Sequence, residues 1–329
     1  MRDFMIGDDA AGQRLDRYLL KLLPEAGNSF LQKMIRKKRI KLNGARTESS
    51  AILHDGDSVR LYFSEETIAA FRGEQKPVIQ AHQLPDSIRD AFEHPVYEDA
   101  NYLGINKPAG LLSQPDHSGA ISAAEAAETY LNKTATFSPA PLYRLDRNTS
   151  GILLFPKNYE AQRRALEAIR KRDCTKEYIT IISGVLTSPG TLRSSLVKNP
   201  ETNQVFPVTD DSGREAILEY DPVSTEEDYT LMKIRLLTGR THQIRAQLEQ
   251  NGTPVVGDEK YGAGRVNREF NSRFGIRRQM LHAAYYALHD ENGLFLEAEA
   301  PLPDDFSTAV TGLFGNNALA QIDDSAIFS

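Results

Sequence analysis

Asp146 stands in the run Tyr143-Arg144-Leu145-Asp146-Arg147-Asn148-Thr149-Ser150-Gly151, directly ahead of the apolar segment Ile152-Leu153-Leu154-Phe155. A carboxylate in a polar loop fixed to a buried strand is well placed for chemistry, because the strand holds what the loop exposes. Arg144 and Arg147 favour its ionised form, which a nucleophile requires. An aspartate between arginines more often orders a turn or pairs with its neighbours, so the reading needs partners. The run Thr238-Gly239-Arg240-Thr241-His242-Gln243-Ile244-Arg245 offers some. Thr241 is expected to cap a helix that extends to about residue 250 and closes at Asn251-Gly252. His242 and Gln243 would lie in its first turn. The positive end of the helix dipole, with Arg240 and Arg245, favours an anion: a phosphate or the Asp146 carboxylate. Tyr178, in Thr175-Lys176-Glu177-Tyr178-Ile179, is expected near a strand start. Its ring could stack on a flat base and its hydroxyl could bond or move a proton, though such a tyrosine more often only packs.

Other chemistries find no support. There is no GxGxxG after a strand and no glycine-rich lysine loop. The seven histidines lack metal-ligand spacing, and Ser183-Gly184 is not set in a nucleophile elbow. Cys174 is the single cysteine, so neither an intramolecular disulfide nor a cysteine zinc cluster can form. No metal site is expected.

The elements that must hold these residues follow from periodicity. Strands are expected at residues 102–106, 151–155, 177–182, 216–220 and 229–237, and helices at 121–131 and 158–172. Strands outnumber helices and are often joined by turns. That predicts an α+β domain with a central mixed, largely antiparallel sheet flanked by helices. The segment Leu103-Gly104-Ile105-Asn106-Lys107-Pro108-Ala109-Gly110 reads as architecture. Ahead of this domain lies a small unit. Residues 14–23 and a second helix capped by Asn28 or Ser29 present apolar faces, and strands at 40–42 and 58–63 complete a small α/β fold. Residues 64–93 read as a linker.

The 329 residues suffice for about two domains, no apolar run approaches a membrane span, and residues 1–9 lack a signal-peptide pattern. The net charge is −6, but eight acids and no Lys or Arg lie in residues 279–329, so the rest of the chain sums to +2. Between residues 26 and 47 seven bases occur without an acid: Lys33, Arg36, Lys37, Lys38, Arg39, Lys41 and Arg46. Such a run is as often a solvated helix face as a phosphate-binding surface. Two further basic clusters, at Arg163, Arg164, Arg170, Lys171 and Arg172 and at Arg265, Arg268, Arg273, Arg277 and Arg278, admit the same two readings.

Taken in order, these motifs resemble the RluA family of pseudouridine synthases. The Arg144–Gly151 run is similar to that family's aspartate motif, Asn106-Lys107-Pro108-Ala109-Gly110 to its first motif, and Lys176-Glu177-Tyr178 to its tyrosine motif. The Thr238–Arg245 run resembles its basic motif, and Gly257-Asp258, Tyr261-Gly262 and Leu281-His282-Ala283 resemble later ones. Arg14-Leu15-Asp16 and the stretch from Ile35 to Gly44 resemble an RNA-binding module named after a small-subunit ribosomal protein. Tyr143 stands where the family commonly has histidine, and Ser113-Gln114-Pro115 is also unusual.

The resemblance implies conversion of uridine to pseudouridine in structured RNA, most simply large-subunit ribosomal RNA, with no cofactor. It implies Asp146, Tyr178 and Arg245 as catalytic residues. Arg144, Arg240, His242 and Gln243 would bind substrate, and Lys33, Arg36, Lys37, Lys38, Arg39 and Lys41 would bind RNA. The expected organisation is a small RNA-binding domain at 1–65, a linker at 66–94, a catalytic domain at 95–310 and an acidic tail at 311–329. A cytoplasmic monomer with no membrane partner is expected. The alternatives are a non-catalytic RNA-binding ribosome-assembly factor and a synthase acting on transfer RNA. All readings make one geometric demand: Asp146, Tyr178 and Arg245 must share a cleft.

Overall fold

The structure is a computed structural model that describes all residues except 74–78, 132, 135, 200, 201, 203, 209–211 and 324–329. Leu15, Leu19 and Leu22 share one helical face, so α1 (Leu15–Leu22) buries that stripe, and α2 (Asn28–Arg36) adds Leu31 and Ile35. The cap of α2 differs from expectation. Gly27, with φ 64°, is the N-cap, and Asn28 is already helical. These helices pack on a three-stranded sheet ordered β1 (Arg2–Met5), β3 (Ser58–Leu61), β2 (Ile40–Leu42). Strand β1 escaped the sequence reading because it is an edge strand with no fully buried residue, and so carries no alternation.

The expected linker is largely structured. Its first part is α3 (Glu65–Arg72), capped by the Ser64 side chain, with Ile68 and Phe71 packed into the core of the N-terminal unit. Its last part is α4 (Asp86–Glu93), whose Ile88, Ala91 and Phe92 join the core of the larger unit. Mixed composition hid both helices because each is short and amphipathic. The local structure of this linker is thus two helices, joined by a connection that includes residues outside the description.

The larger unit is built on a ten-stranded sheet. Its strands are β4 (Tyr97–Glu98), β5 (Tyr102–Lys107), β6 (Ser150–Pro156), β7 (Cys174–Ser183), β8 (Gly190–Lys198) and β9 (Val205–Val208), then β10 (Arg214–Glu226), β11 (Tyr229–Leu236), β12 (Leu281–Asp290) and β13 (Gly293–Glu299). They run in the order β4-β5-β6-β12-β7-β11-β10-β8-β9, with β13 beside β12. Only β6 and β12 pair in parallel; the other described pairs are antiparallel. The helices are α5 (Ala123–Tyr130), α6 (Tyr159–Lys171), α7 (Gln243–Gln250), α8 (Gly264–Phe274), α9 (Asp304–Phe314) and α10 (Asn316–Asp323).

Strand alternation divides the core. Tyr178, Ile182, Met232 and Ile234 face the layer that includes α5 and α7. Ile179, Ile181, Tyr229 and Leu231 face α8, α9 and α10. The expected acidic tail is therefore packed through Ile322: Leu313, Ala318 and Ile322 are buried, and the ammonium of Lys233 donates to the carbonyls of Gln321 and Ile322. Asp324, part of the expected acidic tail, lies outside the described residues.

Candidate active site

The loop that carries Asp146 is tied from several sides. The Ser113 hydroxyl donates to the Leu145 carbonyl at 2.8 Å and accepts the Leu145 N–H at 3.0 Å. Lys107 is fully buried at the end of β5, and its ammonium donates to the carbonyls of Pro108, Leu111 and Arg147. Burial draws its pKa down to about 7, against the attraction of Asp146. Beyond the aspartate, Gln279 donates to Thr149, and Ser150 bonds the His282 ring. Gly151 has φ 112°, and a Cβ there would lie 2.1 Å from the Ala283 carbonyl, so the parallel β6–β12 contact requires glycine. Architecture is thus what Lys107 supplies, while Ser113, an oddity in the sequence, is a clamp.

Asp146 then projects into a cleft of ≈ 50 Å³ lined by Arg144, Tyr178, Leu236, His242, Arg245 and Leu281, among others. Its Oδ2 accepts Arg245 Nη1 at 2.8 Å. Its Oδ1 lies 3.9 Å from His242 Nε2. Tyr178 reaches the cleft from β7, where it stands between Ile234 of β11 and Ala283 of β12. Burial, aided by the Asp146 charge, raises the Tyr178 phenol well above its ordinary range, so it keeps its proton at neutral pH. The expected convergence of Asp146, Tyr178 and Arg245 is what the structure shows.

The basic motif folds differently from expectation in one respect. Thr241 does not cap α7. His242 occupies the N-cap with φ 51°, and the Gln243 side chain stabilises the turn instead. Its Oε1 accepts from Arg240 N and Thr238 Oγ1, and its Nε2 donates to the Ile217 carbonyl. Gln243 is 2% exposed, so its amide is spent inside the protein. Arg240 does not pair with Asp146; its Nε donates to the Glu215 carbonyl. Burial lowers the pKa of His242, against the pull of Asp146. Its Nδ1 lies 3.0 Å from the Tyr261 hydroxyl, which also accepts Val205 N–H.

Two site residues escaped the sequence reading. Asp258 takes Arg245 Nε at 2.6 Å and Nη2 at 2.9 Å, and is fully buried. The Tyr261 ring lies 5.0 Å from the Arg245 guanidinium. Both sat in a loop noted only for its motif. The available signal was Arg245 itself, since a buried guanidinium needs acceptors for more than one edge. Tyr143 turns away from the chemistry: its ring stacks on Tyr286 at 4.3 Å and its hydroxyl donates to the Ile152 carbonyl.

Elsewhere, five of the ten bases in the two other clusters form ion pairs, Arg163 with Glu167 among them. Arg164 pairs with Asp290, Lys171 with Glu167, Arg273 with Glu227 and Glu269, and Arg278 with Asp305. The N-terminal run behaves otherwise. Lys33, Arg36, Lys37, Lys38 and Arg39 are exposed, and among the described residues none forms an ion pair. Lys41 is half-buried, with its ammonium over the Tyr62 ring.

A sheet of this topology with a carboxylate cleft on one face defines a class. The solved human RNA pseudouridylate synthase domain containing 4 has a similar fold: TM-score 0.55 at 20% identity, covering 71% of this chain and 95% of that one. The sequence model described as RNA pseudouridylate synthase matches residues 101–250. The ribosomal large subunit pseudouridine synthase D of Xanthomonas campestris pv. campestris is 30% identical over 97% of this chain and 95% of its own length. The protein of that name from Pseudomonas aeruginosa is 31% identical over 91% of each chain. The chain belongs to the RNA pseudouridylate synthase family, of RluA type, and is an enzyme that isomerises uridine in RNA.

Proposed function

We propose that this synthase modifies large-subunit ribosomal RNA and that Asp146 is its nucleophile. One observation carries the catalytic part: Asp146 is held through Oδ2 by Arg245, while Oδ1 lies 3.9 Å from His242 Nε2 in a cleft that Tyr178 also lines. The substrate assignment is supported by the relatives' names and by the exposed basic run of the N-terminal unit.

The target uridine must first leave its stack, at a cost of a few kcal/mol. Arg144, exposed at the cleft mouth, fills the vacated space. Asp146 drives cleavage of the bond between base nitrogen and sugar, with Arg245 holding the carboxylate in place through Oδ2. The freed uracil turns against the Tyr178 ring and rejoins the sugar through carbon. The proton on that carbon leaves and the released ring nitrogen gains one, so the reaction is an isomerisation and consumes no co-reactant. Arg240 and His242 line the same cleft and contact substrate, whereas Gln243 shapes the loop between them. The cleft is complete within one chain, which supports action as a monomer. No described helix is long and apolar enough to cross a membrane, and a ribosomal substrate supports a cytoplasmic location.

Release of tritium from RNA labelled at uracil carbon five tests this reading. The wild-type protein is expected to release it from large-subunit ribosomal RNA, and Asp146→Asn to lose turnover by about 10⁴-fold or more with RNA affinity retained. Activity in Asp146→Asn would sink the nucleophile. Release from transfer RNA alone would overturn the substrate assignment.

A further inference from the structure

We propose that Asp258 is a positioning residue for this reaction: by occupying one edge of Arg245, it leaves Asp146 bound through a single oxygen. The inference rests on Asp146 being the nucleophile, and asks what keeps that carboxylate available.

A guanidinium and a carboxylate prefer two parallel hydrogen bonds. If Asp146 met such an edge of Arg245, both its oxygens would be engaged. In the structure the Nε–Nη2 edge already carries that bidentate pair, with Asp258. Only Nη1 remains directed at Asp146, and it bonds Oδ2 alone. The arrangement also divides charge. One guanidinium serves two carboxylates, so the trio keeps a net negative charge. Burial alone would raise Asp258, yet its bonds to Arg245 hold it below its ordinary range, so it stays charged.

Asp258 is fixed more firmly than a surface partner would be. It is fully buried, and its Oδ1 also accepts the N–H groups of Lys260 and Tyr261. The Asn267 amide closes the loop, donating to the Asp258 carbonyl at 2.8 Å and accepting from Gly257 N at 2.9 Å. Gly257 has φ 76°, and a Cβ there would stand 2.0 Å from the Arg278 carbonyl, so this loop is pressed against the chain leading into β12. Tyr261 covers a further side of Arg245. The guanidinium therefore has one orientation, dictated from behind.

The test is a double-mutant cycle read by single-turnover isomerisation and by RNA affinity. Asp258→Asn keeps an oxygen for the two backbone N–H groups but cannot accept both guanidinium bonds. Its rate is expected to fall roughly 10- to 100-fold, the scale of a small misplacement of a reacting group. RNA affinity should stay within about twofold of wild type. Because Asp258 acts through Arg245, Asp258→Asn should add no further loss in an Arg245→Gln background. A wild-type rate in Asp258→Asn, a loss confined to RNA affinity, or multiplicative losses in the double variant would each overturn the proposal. Asp146→Asn runs in the same assay. If it is active, the nucleophile assignment fails; if it is dead while Asp258→Asn is normal, only the present proposal fails. Should Asp258→Asn melt below the assay temperature, Asn267→Ala carries the test. A severalfold slower rate at unchanged affinity is expected there, and a wild-type rate overturns the proposal.

Discussion

Asp146 and Arg245 lie 99 positions apart in sequence and 2.8 Å apart in space. Their types could be read in advance because each sat in a run whose chemistry made sense only with an opposite charge nearby. Asp258 could not be read so, since an aspartate in a Gly-Asp turn is ordinarily a turn residue and its role appears only once Arg245 has two faces to satisfy. Gln243 illustrates the converse. Its place beside His242 suggested substrate contact, yet a buried amide must fill its bonds, and here the protein fills them. Tyr178 allows a sharper statement. Its phenol keeps its proton at neutral pH, because burial and the Asp146 charge both oppose ionisation. On the proposed mechanism its ring, rather than its oxygen anion, is then the main contribution. Tyr178→Phe should retain substrate affinity and lose at most about 10²-fold in rate, the low end of acid–base assistance. Tyr178→Leu should lose affinity for the flipped base as well. Steady-state kinetics on one RNA would separate the two, and equal defects in both variants would contradict the stacking role.

At the scale of elements, long apolar strands were legible and polar or edge strands were not. β6 is buried at every position, and its run was plain; β8, with a half-buried alternation of Thr, Arg and Ser, was not. The β12–β13 hairpin was read only in part, as a motif, although it supplies the register that places Tyr178. β12 is also joined to β6 by His282. Its Nδ1 accepts from Ser150, and its Nε2 donates to the Ala300 carbonyl. That arrangement needs a neutral ring, and burial pushes its pKa from 6.5 to about 4. Between these values the unfolded chain takes up a proton that the native chain refuses. Stability from this residue is therefore complete above about pH 6.5 and lost toward pH 4, a swing of about 3 kcal/mol. Glu177 works the other way: burial raises it to about 7, against Arg235, so its effect on stability declines as pH rises toward 7. The two partly cancel in the wild-type protein. His282→Gln, whose amide can serve both partners, should be less pH-sensitive in the acid range. Relative to wild type it should gain melting temperature as pH falls from 6.5 to 4.5; a constant offset would refute this assignment.

For the whole molecule, the charge map decides how RNA is engaged. The net charge of −6 is misleading because acids near the C-terminus are used internally: Asp290 holds Arg164 and Asp305 holds Arg278. Those pairs engage two of the arginines that the sequence left open as RNA contacts. The N-terminal unit keeps its bases free at the turn after α2, where Lys38 even adopts a left-handed conformation, φ 60°, to follow the chain reversal. The unit meets the catalytic body through Asp9, whose carbonyl accepts Tyr159 N and whose carboxylate accepts Thr134, and through Lys21 over the Tyr159 ring. It is thus attached at the N-terminus of α6, away from the residues that hold Asp146, and its contribution should be to affinity. Each base that neutralises a phosphate steepens the fall of log K with log salt by about 0.7–0.9. Replacing Lys33, Arg36, Lys37 and Arg39 by glutamine should flatten that slope by roughly 3 and raise KM at moderate salt. Removing residues 1–72 should flatten it at least as much. An unchanged salt slope in the fourfold variant would mean that these bases form only a solvated face, and that RNA is held by the catalytic cleft alone.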